Sequence, residues 1–305
     1  MSRAEISIGN IRWVHINQPS ADDIAFVRNA HSFDEIVISY ISSPTLHPSL
    51  EEFGDNVYFI LHFPIIYTTD ERNKTIEIDF LMTKNTLITF TYEKYERLET
   101  LFNRCEQDQA LRNTYFRSHS GYILYFILEQ LYQAMIRDRD YIEESIDTLE
   151  QDVFSTADET LIERISSVAR DVLDFRRVFK MQGSVMGLLP QALEKMLGKE
   201  SIPKFTNIVI AHDRIVQLMD SHKETIDSLQ TTNASLVDKK ISHIVKTLTI
   251  FSAILLPLSL IAGIWGMNHE FIPLRDGPND FWIVLALMAL LTGTLLLIFK
   301  RSKWF

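Results

Sequence analysis

The stretch that decides the fold of this chain is residues 247–265, which read TLTIFSAILLPLSLIAGIW and contain no charged side chain. A second uncharged run, FWIVLALMALLTGTLLLIF, follows at residues 281–299. The hydrocarbon core of a bilayer is about 30 Å thick and is spanned by about twenty apolar residues in a helix. Each run therefore predicts a membrane-spanning helix. The residues before them predict a large soluble part.

The composition excludes several classes of protein. The formal net charge of −10 argues against nucleic acid as a partner, because phosphate binding needs a basic face. The single cysteine, Cys105, rules out an internal disulfide and a cluster of thiolate ligands. The N-terminal residues MSRAEISIG lack the apolar core of a signal peptide, so we expect this end of the chain to stay in the cytoplasm.

Basic residues beside the two runs predict their orientation. Three lysines precede the first run and three basic residues follow the second: Lys239, Lys240, Lys246, Lys300, Arg301 and Lys303. The linker between the runs is acidic, with Glu270, Asp276 and Asp280 against Arg275. By the positive-inside rule, both termini are predicted to be cytoplasmic and the linker external, in a multi-pass protein of the plasma (inner) membrane.

The soluble part is predicted to be α+β and then all helical. Residues rich in β-branched and aromatic side chains predict strands at 11–17, 57–67, 75–83 and 86–92, and the short turns between the last three favour antiparallel pairing. From Glu93 the spacing becomes helical, with Leu98, Leu101 and Phe102 on one face. Beyond Ser118, the pattern predicts a hairpin of two long helices with an acidic tip, which is either a solvated face or a surface that attracts cations.

A very long helix is predicted before the membrane. Residues 208–265 contain one proline, Pro257, and no helix-ending glycine before Gly263, so they predict a single helix of nearly sixty residues, about 85 Å long. Its cytoplasmic half carries an incomplete apolar stripe. We expect such a stalk to pack against copies of itself.

The first run closes with Gly266-Met267-Asn268. The stretch PLSLIAGIWGMNHEFIP, followed by a second span and by KRSKWF, resembles the CorA family of magnesium transport proteins. The sequence departs from the family pattern beside this motif. Trp265 stands where tyrosine is usual, His269 replaces an aromatic residue, and Ile272 and Leu274 replace the methionine and glutamate that flank the proline.

The resemblance implies a funnel-shaped homopentamer in which the first span lines a central pore and the second packs outside it. It implies a selectivity filter in which Asn268 forms a ring at the outer mouth, with Gly266 and Met267 fixing the backbone that presents it. It also implies that Mg²⁺ is both the transported ion and a regulatory ligand of the cytoplasmic domains. The residues that hold regulatory metal stay unplaced, although Asn207 and Asp213 lie in the relevant part of the stalk.

This interpretation divides the chain into seven segments. They are an α/β domain at 1–117, a helical hairpin at 118–200, the stalk part of the pore helix at 201–246, the first span at 247–268, an external loop at 269–280, the second span at 281–299 and a basic tail at 300–305.

One face of the first span is predicted to line the pore. Steps of three or four residues give alternating small, hydroxyl and apolar side chains at Ser242, Val245, Thr249, Ser252, Leu256, Ser259 and Gly263. Small residues in a span also mark helix packing, and both interpretations hold if copies pack around a pore. Leu256 and Val245 are candidates for a constriction that closes by losing its water.

The linker offers further candidates at the outer mouth. Glu270, Asp276 and Asp280 are predicted to raise the local cation concentration, or they are solvated loop carboxylates. His269 would bring a softer metal ligand to the mouth. His212, His222 and His243 do not have the spacing of a shared metal site on one helix.

The resemblance implies a channel-like importer of Mg²⁺, or of Co²⁺. We expect the membrane potential to drive it, because no phosphate-binding loop is present and no charge lies inside either span. The alternatives are a Zn²⁺ transporter of the same superfamily and a membrane-tethered cation sensor that conducts nothing. The sequence shows no nucleophile–base pair or set of metal ligands that would support a membrane-anchored enzyme. The predicted partners are therefore other copies of the chain, the lipid bilayer and divalent cations.

Overall fold

The computed structural model describes residues 2–31, 35–65, 74–155, 159–267 and 279–302. The chain forms two compact units, Met1–Gln230 and Thr231–Phe305. The first contains a sheet and helices, and the second contains the two apolar C-terminal helices. The predicted fold class, an α+β domain followed by long helices and two apolar C-terminal helices, is confirmed.

Six strands form one mixed sheet in the first unit. Neighbours in the order β1-β2-β6-β5-β4-β3 pair antiparallel, except β2 and β6, which are parallel. The strands are β1 (Arg3–Ile8), β2 (Ile11–Asn17), β3 (Leu50–Phe53), β4 (Asn56–Ile65), β5 (Lys74–Met82) and β6 (Thr86–Thr91). The four predicted strands match β2, β4, β5 and β6, although residues 66 and 67 lie outside the described residues. The short edge strands β1 and β3 were not predicted.

Helices cover both faces of the sheet. Helices α1 (Ala21–His31) and α2 (Glu35–Tyr40) lie on one face, where Val27 and Ile38 pack against strand residues such as Ile60 and Phe90. On the other face, the ring of Trp13 in β2 meets Phe102 of α3 (Glu96–Gln107) edge to face at 4.9 Å. Because helices cover both faces of the sheet, the central strands carry mostly apolar side chains on both sides.

The first helix begins at Ala21, directly after the capping residue Ser20. Ser20 and Asp23 form a reciprocal cap, because the Ser20 Oγ accepts from the Asp23 N–H at 3.3 Å and the Ser20 N–H donates to Asp23 Oδ2 at 3.0 Å. Two backbone N–H groups at the start of α1 are thereby satisfied.

The helical part of the first unit begins with α4 (Gln109–Tyr115) and continues with α5 (Ser120–Ser155), α6 (Glu159–Met181) and α7 (Gly183–Leu197). In α5, Ile142, Ile146 and Leu149 recur with helical spacing and are buried. The neighbouring acidic residues Glu143, Glu144, Asp147 and Glu150 are exposed, as a solvated face requires. Arg97 of α3 and Asp138 of α5 form a bidentate ion pair, with both N–O distances at 2.8 Å.

The longest helix, α8, runs from Ile202 to Gly266 and contains 65 residues. It begins six residues earlier than the predicted start at residue 208, because Pro203 lies in the first turn, where a missing N–H breaks no helical hydrogen bond. Within the first unit, Asp220 of α8 pairs with Lys180 of α6 at 2.9 Å and also with Arg176. The last helix, α9, spans Asp280–Arg301.

Candidate functional site

The predicted filter motif begins at the C-terminal end of α8. Gly266 is the last helical residue, and the N–H of Met267 donates to the carbonyl of Ile264 at 3.3 Å. The Met267 side chain is 57% exposed. Asn268, His269, Glu270 and Asp276 lie outside the described residues, so their predicted roles stay predictions.

The remaining linker carboxylate, Asp280, is the first residue of α9. A carboxylate in the first turn lies at the positive end of the helix dipole. Asp280 is half-buried. Its predicted role in attracting cations stays a prediction.

The seven predicted pore-lining residues all lie on α8, within about 60° of Leu256 at 100° per residue. Six of them are exposed in the single chain and Ser252 is half-buried. Leu256 is 69% exposed and Val245 is 55% exposed. Among the described residues of the single chain, this face is therefore largely uncovered.

One hydroxyl on this face has a defined orientation. Thr249 Oγ1 donates its hydrogen to the carbonyl oxygen of Val245 at 2.8 Å. Because its only hydrogen is used within the helix, the oxygen can only accept a further hydrogen bond from outside. Such an oxygen suits the water molecules around a hydrated cation, whose hydrogens point outward.

The opposite face of α8 is more enclosed within the second unit. Ile250 is 8% exposed, and Ile254, Leu258, Ile261 and Trp265 follow it with helical spacing as half-buried residues. On α9, half-buried residues recur in the same way at Val284, Met288, Leu291, Leu295 and Phe299. Each helix therefore has one partly covered face and one open face.

Both helices are long and apolar enough to cross a membrane. Their most apolar windows have mean hydropathies of 2.1 and 2.5 and are 6% and 0% buried in the chain. A soluble core helix would be mostly buried, so this exposure agrees with an apolar solvent around the helices.

Sequence reasoning missed a buried polar cluster in the sheet of the first unit. Asp79 of β5 is fully buried, and its Oδ2 accepts hydrogen bonds from Tyr58 Oη at 2.7 Å and Tyr92 Oη at 2.8 Å. Glu77, two residues before it on the same face, accepts the N–H of Thr45 at 2.7 and 3.0 Å. The available signal was two acidic residues at alternate positions of a strand flanked by other strands.

The predicted histidine and stalk residues are also placed by the structure. His212 is buried, and its Nε2 lies 2.8 Å from the carbonyl oxygen of Phe179 and its Nδ1 lies 3.0 Å from Asp213 Oδ1. Asn207 and Asp213 are exposed. Among the described residues of a single chain, no three His, Cys, Asp or Glu side chains are arranged to hold a metal ion. The regulatory metal site therefore stays unassigned.

Comparison with known families decides the class of this chain. Residues 9–301 match the model of the family described as CorA-like Mg²⁺ transporter protein. The chain belongs to the CorA-like family. Members of this family are Mg²⁺ transporters, so the two apolar helices are membrane-spanning helices.

The relatives span nearly the same length. The cobalt/magnesium transport protein CorA of Thermotoga maritima is 24% identical over 297 residues, which cover 96% of this chain and 83% of that protein. The complete structure of the CorA magnesium transporter from Methanocaldococcus jannaschii superposes with a TM-score of 0.83 at 22% identity, covering 99% of this chain and 94% of that one. The ZntB cytoplasmic domain from Vibrio parahaemolyticus superposes with a TM-score of 0.63 at 16% identity and covers 76% of this chain and 90% of that one.

Proposed function

We propose that this chain is a channel-like importer of Mg²⁺, with Co²⁺ as a second permeant ion, and that the membrane potential drives the uptake. The observation that supports the proposal best is the family match over residues 9–301. A second supporting observation is the exposed face of small, hydroxyl and apolar residues on α8, the helix that ends at the predicted filter motif.

In this proposal, five copies of the chain assemble so that the open faces of five α8 helices surround one pore. The cytoplasmic domain comprises residues 1–117 and 118–200, and the stalk comprises residues 201–246. The two spans, 247–268 and 281–299, cross the inner membrane. Residues 269–280 form the external loop, and residues 300–305 form the cytoplasmic tail. The face from Ser242 to Gly263 carries no charge, so a hydrated ion passes without binding tightly.

Selection takes place at the outer mouth in this proposal. Mg²⁺ sheds its water reluctantly, so a ring of neutral Asn268 amide oxygens holds the hydrated ion through its water molecules. Gly266 and Met267 hold the backbone that presents the ring. Glu270, Asp276 and Asp280 raise the local concentration of cations before entry.

The energy source follows from the charge of the ion. Moving a double charge through 100 mV is worth about 4.6 kcal/mol, which is enough to concentrate Mg²⁺ inside without a nucleotide. Mg²⁺ bound to the cytoplasmic domains then favours a closed pore and limits uptake.

The deciding experiment measures Mg²⁺ flux into proteoliposomes under an imposed negative internal potential. We expect Asn268→Ala to reduce uptake at least tenfold, because the alanine ring offers no oxygen to the hydrated ion. Asn279→Ala is the matched control, since Asn279 is exposed and its side chain makes no capping hydrogen bond to α9. The control should transport normally, and mass measurement in detergent should give five copies for both variants.

Other outcomes would contradict specific parts of the proposal. Normal uptake by correctly assembled Asn268→Ala protein removes the amide filter. Flux of Zn²⁺ but not of Mg²⁺ assigns the chain to zinc transport. A parent protein that binds divalent cations but conducts none is a sensor, and a monomer or dimer in detergent removes the pore.

A further inference from the structure

A carboxyl pair in the sheet of the first unit is buried, and among the described residues no Lys or Arg side chain forms an ion pair with it. Glu77 and Asp79 occupy alternate positions of β5 and therefore project from the same face of the sheet. Asp79 is fully buried and Glu77 is 8% exposed. Two ionised carboxylates so close together in an apolar core would repel each other and lose their hydration.

The hydrogen bonds around the pair come from neutral donors. Burial and the nearby Asp79 carboxyl raise the pKa values of Tyr58 and Tyr92, so both phenols keep their protons and donate them to Asp79 Oδ2. The second oxygen of Asp79, Oδ1, has no hydrogen-bond partner among the described residues. A carboxyl oxygen of this kind is where a bound proton can lie.

The nearest chargeable group is His62, which contacts the pair through one ring nitrogen. His62 Nε2 lies 3.1 Å from the carbonyl of Thr45 and 3.5 Å from Glu77 Oε2, so this nitrogen carries a hydrogen. The other ring nitrogen, Nδ1, is buried without a partner among the described residues, and an imidazolium would leave its N–H unpaired there.

The elements that pack around the pair bring no other cation into ion-pair distance in the described part of the chain. Helix α2 contributes Tyr40, whose ring stacks on Tyr58 with centroids 5.8 Å apart. Lys74 pairs with Glu93 at 4.0 Å. Glu51 lies opposite Tyr58 in the sheet and hydrogen-bonds Tyr40. His47, Asp174 and Arg177 line the wall of an adjoining cavity.

We propose that Glu77 and Asp79 form a proton-binding site in which the two carboxyl groups hold one proton between them in the folded sheet. Burial and the neighbouring Glu77 raise the pKa of Asp79 well above its usual value, which agrees with this geometry. The cavity, of about 420 Å³, is lined by Glu77, Tyr92, His62 and Thr45, and gives the proton a route to solvent. The pair is also linked to the segment after α2, because Glu77 accepts the N–H of Thr45.

The sign of the pH effect follows from proton linkage. The folded state holds a proton that the unfolded state releases near pH 4, so the contribution of the pair to stability is largest at low pH. It is lost as pH rises through the folded pKa. Once the proton leaves, repulsion between the two carboxylates weakens the hydrogen bond from the Thr45 N–H to Glu77. Hydrogen exchange of the Thr45 amide should therefore speed up at alkaline pH by more than the rise in its intrinsic rate.

The test uses the full chain in detergent and the variant Asp79→Asn, whose amide imitates a protonated carboxyl group in shape and donor capacity. We expect this variant to melt within about 2 °C of the parent near pH 6, and to lose less stability than the parent between about pH 6 and about pH 9. Glu93→Gln is the control, because Glu93 lines the same cavity but is exposed. It should keep the pH dependence of the parent.

Two results would overturn the proposal. If Asp79→Asn melts far below the parent near pH 6, the tyrosines bind an ionised Asp79. If it folds well but keeps the full pH dependence, the proton lies elsewhere. Should the variant fail to fold, infrared spectroscopy of the parent decides the question: a buried carboxylic acid band at neutral pH that disappears on alkaline titration supports the shared proton, and its absence overturns it.

Discussion

The proposed gate at Leu256 can be tested directly with the substitution Leu256→Ser. Leu256 is 69% exposed in the single chain and lies ten residues, about 15 Å of helix, before Gly266. In a fivefold bundle, five leucines at this depth form an apolar collar near the middle of the membrane. Water leaves such a collar when it narrows, and a hydrated ion then meets a barrier without any charge being present.

The size of the effect can be bounded from the exposure. Fully covering a leucine side chain is worth about 1.5–3 kcal/mol, so covering the exposed part of Leu256 is worth roughly 1–2 kcal/mol per copy. Five copies give an upper bound of roughly 5–10 kcal/mol in favour of the dry, closed collar. Serine removes nearly all of this term. Since about 1.4 kcal/mol corresponds to a factor of ten, we expect at least a tenfold rise in leak.

The assay is Mg²⁺ flux from proteoliposomes at high internal Mg²⁺, where the parent channel should be closed. Leu255→Ser is the matched control: Leu255 is also exposed, but it is turned about 100° away from the proposed pore face. We expect a leak only from Leu256→Ser. An unchanged flux, or the same leak from both variants, would show that Leu256 is not the gate.

Two further predictions concern the first unit. Burial lowers the pKa of His15 to about 4, so the stability that neutral His15 contributes is complete above the unfolded pKa of about 6.5 and is lost as pH falls towards 4. We therefore expect His15→Asn to remove roughly 3 kcal/mol of the pH dependence of the unfolding free energy between these pH values, measured by urea unfolding. An unchanged pH profile would contradict this. Asp138→Asn should lower the free energy of unfolding by about 1–2 kcal/mol, because it breaks the bidentate pair with the half-buried Arg97. The exposed control Glu96→Gln should cost less than about 0.5 kcal/mol, and equal effects of the two variants in urea unfolding would show that the half-buried pair adds nothing.

The central strands could be predicted from the sequence, and the edge strands could not. β4, β5 and β6 are buried on both faces, so their sequences are dense in β-branched and aromatic residues. β1 lies at the edge, and only Ile6 of its six residues is buried. β3 is four residues long and contains two glutamates. An edge strand buries little surface, so its sequence carries little of the apolar signal that identifies a strand.

The acidic pair was missed for a related reason. KTIEIDFLM alternates charged and apolar residues over its first half, which is the pattern of a strand with one solvated face. In the structure, Glu77 and Asp79 are buried because α1, α2 and the segment that follows them cover that face. Whether an alternating strand has a wet face or a buried polar cluster depends on what packs against it, and residues distant in the chain decide this.

The seven residues of the predicted pore face share one face of α8, because a helical period fixes which residues lie together; their role in an ion pathway stays a prediction. One chain does not show which neighbours cover that face, but the residue types on the open faces of α8 and α9 differ. The exposed residues of α9 are mostly large and apolar, as at Phe281, Leu290 and Leu297, which suits contact with lipid. The exposed face of α8 instead includes Thr249, Ser259 and Gly263. Lipid offers no partner for a hydroxyl, whereas copies of the helix around a water-filled pore do, so the difference between the faces favours a pore formed by α8 and an outer layer formed by α9.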